Sequence, residues 1–148
     1  VGRSFEEFTV GSEIVSGGQT LTLESMIAFA ALYDPQSFHI DVEAGKKSPY
    51  GGLIASGFQT LAVGFRMFLD TAVLAGTSFG SNAMDDLRWL RPVRPGDTLH
   101  TVARVIEARP SASKPDRGIV RAAFRVINQQ EEDVLTFATT VFVARRPN

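Results

Sequence analysis

Apolar and polar residues recur with two different periods along this chain, and the change of period divides it near the middle. Residues 13–20 read as an opening strand broken at Gly17-Gly18. Thr22 then offers an N-cap to a helix starting at Leu23, with Glu24 in the first turn, where negative charge is favoured. Met26, Phe29, Ala30 and Tyr33 follow at i, i+3, i+4 and i+7, giving that helix one apolar face. Pro35 disfavours helical geometry at Asp34, so the helix stops there. Residues 41–50 form a polar connection with room for one short helical turn. The next segment, GGLIASGFQTLAVGFRMFL, is apolar on nearly every face. A helix of that kind must be enclosed by protein, and the pattern predicts it over 52–69. Gly52, Gly57 and Gly64 lead or interrupt it, and a mid-helix glycine costs about 1 kcal/mol against alanine. Such glycines make sense where another element packs against the helix backbone.

The second half switches to strand signals. Residues 83–90 form one candidate strand, ended by Pro92 and the Pro95-Gly96-Asp97 turn, and 98–107 form the next. After the loop RPSASKPDRG, Val120, Ala122, Phe124 and Val126 alternate with Arg121 and Arg125 over 119–128, which marks one buried and one wet face. Residues 134–144 close the series after a hairpin turn at Glu131-Glu132-Asp133. Consecutive strands with short links favour an antiparallel sheet. Helices first and strands afterwards predict an α+β architecture in one domain, residues 1–148, with the sheet wrapped around the long helix.

Composition narrows the functional classes. With 15 basic and 16 acidic residues the net charge is −1, so no excess of positive charge is available for a nucleic acid backbone. There is no cysteine, which excludes disulfides, thiolate metal sites and thiol catalysis, and two histidines make a multi-histidine metal site a poor expectation. VGRSFEEF lacks the apolar core of a signal peptide, and the apolar stretch 51–69 is interrupted by Ser56, Gln59, Thr60 and Arg66. A cytoplasmic protein with no membrane association is the expectation.

The segment Tyr33-Asp34-Pro35-Gln36-Ser37-Phe38-His39-Ile40-Asp41 carries the chemistry. On one continuous helix an acid and an imidazole five positions apart would point about 140° away from each other. Pro35 removes that option, so the chain can curl and bring Asp34 and His39 together. Spacing alone leaves the bland alternative open, with Asp34 capping a turn and His39 an ordinary loop histidine. Gly51-Gly52 opening the long helix adds backbone N–H groups at a positive dipole end, where an oxyanion is stabilised. Asp34, His39 and that donor-rich start together form a plausible reaction centre.

YDPQSFHID followed by GGLIASGF resembles the MaoC-like, (R)-specific enoyl-CoA hydratase family of the hot-dog fold, and RPVRPGDTL at 91–99 resembles its strand–turn–strand segment. The family motif is D-x-N-P-aliphatic-H. This chain departs from it at Gln36, Ser37 and Phe38, which bears on substrate preference and leaves the acid–base pair in place. The resemblance implies Asp34 and His39 as the catalytic pair and Gly52 as the donor to the thioester oxygen. It also implies supporting roles for Thr60, where relatives carry a serine hydroxyl, and for Gln36. Phe29, Phe38, Leu53 and Phe58 are candidates for an acyl pocket, with simple core membership as the alternative. The implied reaction is reversible addition of water to a 2-enoyl-CoA. It needs no metal or other cofactor, because CoA belongs to the substrate. The implied assembly is a homodimer or a higher homo-oligomer. A hot-dog acyl-CoA thioesterase and a non-catalytic acyl-CoA-binding subunit are the alternatives. Arg88, Arg91 and Arg94 around Trp89, the lysines at 46–47 and His100 receive no assigned role.

Overall fold

A computed structural model describes residues 1–147. Thr22 caps the first helix as its position predicts, its hydroxyl accepting from the Ser25 N–H, and α1 runs over Leu23–Tyr33. Of its predicted apolar face only Met26 and Ala30 are fully buried, while Tyr33 is exposed. Two short helices follow, α2 (Ser37–Ile40) and α3 (Val42–Lys47); the Asp41 carboxylate caps α3 by accepting from the Glu43 and Ala44 N–H groups. The long helix α4 spans Gly57–Asp70, five residues later than predicted at its start. Ser56 is its N-cap, and residues 52–56 are a non-helical lead-in.

The strands are β1 (Glu13–Val15), β2 (Gln19–Thr20), β3 (Ser78–Trp89), β4 (Thr98–Pro110), β5 (Arg117–Ile127) and β6 (Asp133–Ala144). All pairs are antiparallel, in the order β1-β4-β5-β6-β3, with β2 also on β4. The predicted alternation in β5 is exact in outcome: Val120, Ala122, Phe124 and Val126 are buried, whereas Arg121 and Arg125 pair with Asp85 and Asp133. β3 starts five residues before the predicted strand and bulges repeatedly, with Gly80 and Asp86 at positive φ.

α4 lies across the inner face of this sheet. Phe68 meets Phe124 edge-on at 4.8 Å, and Phe124 stacks on Phe137 at 4.6 Å. Gly64 is where the sheet comes closest: the Thr101 hydroxyl donates to its carbonyl at 2.8 Å, and an added Cβ would sit 2.5 Å from a Val126 methyl. The sheet-wrapped helix is the hot-dog fold. Enclosure of α4 is incomplete within the chain, however, because Phe58, Ala62 and Leu69 lie exposed on one face. No helix among the described residues is long and apolar enough to cross a membrane.

Candidate active site

Local chain geometry brings the acid and the imidazole together. α1 ends with Asp34 as its C-cap, outside helical φ and ψ, and Pro35 follows. The Gln36 N–H donates to the Asp34 carbonyl and the His39 N–H to the Gln36 carbonyl, so the chain turns sharply and re-enters helix for the single turn of α2. His39 Nε2 thereby lies 3.3 Å from Asp34 Oδ2, with both side chains largely buried.

Each partner is held by further bonds. His39 Nδ1 is 2.8 Å from the Ile54 carbonyl, and a carbonyl only accepts, so the Nδ1 position carries a proton. Nε2 is thus the ring atom turned to the Asp34 carboxylate. Asp34 Oδ2 accepts from the Ser56 hydroxyl at 2.7 Å, and Oδ1 accepts from the Gln36 side-chain amide at 2.7 Å. Burial pushes the Asp34 carboxyl up, but the Gln36 and Ser56 hydrogen bonds and the charge of His39 outweigh it. The net pKa falls below the usual carboxylate range.

Ser56 was not singled out by sequence, yet it is the residue that ties the pair to α4. Fully buried, it caps the helix by accepting from the Phe58 N–H while donating to Asp34. Its signal was present: Ser56-Gly57-Phe58-Gln59 has the S-x-x-Q form of a capping box. The Gln59 amide instead donates to the Ser25 carbonyl. Thr60 lines the same pocket, but no hydrogen bond among the described residues joins it to Asp34 or His39, so the supporting hydroxyl is that of Ser56.

The expected position of Gly52 also needs correction. It lies in a bend five residues before the helix and does not line the pocket; the non-helical chain after it is held by its neighbours, Ile54 donating to the Phe38 carbonyl and Ala55 to the Val93 carbonyl. The glycine at the helix tip is Gly57, which does line the pocket. As the first helical residue it presents an N–H with no partner within the helix.

The pocket encloses about 550 Å³ and reaches Asp34, Gln36, His39 and Thr60. Its apolar walls include Phe38, Phe58, Tyr50 and Trp89. Leu53 belongs to the core, and Phe29 packs on Tyr33 outside the lining. The described residues contain no group of three or more His, Cys, Asp or Glu side chains placed to hold a metal ion.

The fold and the comparisons together give the class as the hydratase and dehydratase family of the hot-dog fold. The chain belongs to the MaoC-like family: residues 7–124 match its MaoC like domain. A MaoC-like dehydratase from Rhodospirillum rubrum superposes with a TM-score of 0.93 at 37% identity, over 99% of this chain and 100% of the other. Protein YdeM of Bacillus subtilis is 29% identical over 95% of this chain and 98% of its own length. Mesaconyl-CoA hydratase of Cereibacter sphaeroides is 30% identical over 98% of this chain, which spans 42% of that longer protein.

Proposed function

We propose that this protein catalyses the reversible addition of water to a 2-enoyl-CoA, giving an (R)-3-hydroxyacyl-CoA. The observation that carries the proposal is the 3.3 Å approach of His39 Nε2 to Asp34 Oδ2 inside an apolar pocket. Hydration needs a base to take a proton from water as its oxygen attacks C3, and an acid to protonate C2. Asp34 and His39, addressing one water, divide those two tasks. Charge develops on the thioester oxygen, and the Gly57 N–H at the positive end of α4 is the donor best positioned for it. Such a donor contributes about 3–4 kcal/mol to the transition state. Ser56 and Gln36 hold the Asp34 carboxylate ionised and oriented.

The chemistry requires no metal or redox group; CoA serves as the handle of the substrate. The protein acts as a homodimer. This is supported by the unpaired outer edge of β3, where Phe79 and Met84 are exposed, and by the open face of α4. The proposed reaction belongs to acyl-CoA and fatty acid metabolism, and the proposed compartment is the cytoplasm.

Incubating the protein with crotonyl-CoA and a thiol-reactive dye tests the reaction. Loss of enoyl absorbance without thiol release is the expected result. Release of free CoA thiol would instead mean thioester hydrolysis and overturn the proposal.

A further inference from the structure

Trp89 is the only tryptophan of the chain and stands at the end of the edge strand β3. It is 47% exposed, yet its side chain is fixed: the indole N–H donates to the Gly57 carbonyl at 2.9 Å. The ring rests on bare glycine backbone, since a Cβ at Gly57 would lie 2.6 Å from indole Cε2. Phe58 meets it edge-on at 6.1 Å. A large apolar surface that is both immobilised and open to a pocket is one prepared to contact a ligand. Phe38 and Tyr50, 5.3 Å apart by ring centroids, line the same pocket.

Charge in the pocket is equally selective. Asp34 is anionic, and apart from its own partner His39 the described lining residues hold one cation, Arg91. Arg91 is already engaged, with its Nε 3.1 Å from the Glu132 carboxylate and an Nη donating to the Asp133 carbonyl at 2.9 Å. A carboxylate at the far end of an acyl chain would lose its water among aromatic rings, near a fixed negative charge and without a free counter-ion.

Resting on the hydratase reading of this site, we infer that Trp89 is a specificity-determining wall, and that the pocket selects an uncharged, apolar acyl group against one ending in a carboxylate.

The lone tryptophan supplies a binding signal that does not depend on turnover. Hexanoyl-CoA is expected to shift Trp89 emission saturably, whereas free CoA leaves it unchanged and adipoyl-CoA, equal in carbon number, requires about 100-fold higher concentration. In turnover, Trp89→Ala is expected to raise kcat/KM for a 2-dodecenoyl-CoA relative to 2-hexenoyl-CoA by about tenfold, with Trp89→Phe intermediate. Equal binding of adipoyl-CoA and hexanoyl-CoA overturns the inference, as does an unchanged chain-length ratio in Trp89→Ala. If hexanoyl-CoA moves the emission but no enoyl-CoA is hydrated, the hydratase reading fails and the pocket assignment stands. If enoyl-CoAs ending in a carboxylate are hydrated as well as uncharged ones, the pocket assignment fails and the hydratase reading stands.

Discussion

The Asp34 carboxylate receives two neutral hydrogen bonds, from Ser56 and Gln36, besides facing His39. Because these depress its pKa, they stabilise the folded state wherever the carboxylate is ionised, above the usual carboxylate range. That contribution is lost as pH falls through the lowered value. Ser56→Ala removes one of the bonds, so the Asp34 pKa rises and the acid limb of the kcat/KM profile moves to higher pH. The same change removes the α4 cap and lowers stability by about 1 kcal/mol, readable by urea denaturation. Gln36→Leu moves the acid limb in the same direction without touching the cap, which separates the two effects. The acid and the histidine were legible in the sequence because Pro35 fixes where α1 must stop, and a sharp turn after it has few ways to go. Ser56 was not, because the buried apolar residues Leu53, Ile54 and Ala55 before it continue the helical pattern past its cap.

At the scale of elements, period-two alternation located β5 to within two residues, since it buries one face and turns Arg121 and Arg125 outward, whereas β6, buried at 134–135 and 137–139 alike, was bounded by the turn before it. β3 was found only in its second half. Residues 78–82 are small or polar apart from the exposed Phe79, and an edge strand with bulges has no buried face to impose alternation. The start of α4 differs from the sequence pattern for a related reason: Leu53, Ile54 and Ala55 are buried by neighbouring chain and not by helical packing, so the apolar pattern runs past the real cap. Two of the three glycines do admit close neighbours to α4, namely Gly57 beneath Trp89 and Gly64 beneath Val126. Gly64→Ala therefore overpacks the contact between helix and sheet and is expected to destabilise by about 1–3 kcal/mol, despite the better helix propensity of alanine. A gain in stability on denaturation would contradict that packing. Gly57→Ala displaces the indole and lowers kcat, whereas the helix itself persists.

Among the described residues the long β3 edge of the sheet and one face of α4 lack a partner, and both carry exposed apolar side chains: Phe79 and Met84 on β3, Leu69 on α4. A second copy is the proposed occupant, so light scattering is expected to give at least twice the 16.1 kDa chain mass, and Met84→Lys to reduce it. A monomer at micromolar concentration would refute this assembly. The central claim is that Asp34 and His39 work as one acid–base unit on an enoyl thioester. Its most direct test is the initial rate of crotonyl-CoA hydration by Asp34→Asn, His39→Gln and the double variant, each checked for native circular dichroism. We predict that each single variant loses about 10²–10⁴-fold in kcat and that the double variant loses little more than either alone. Full activity in either single variant would contradict the account.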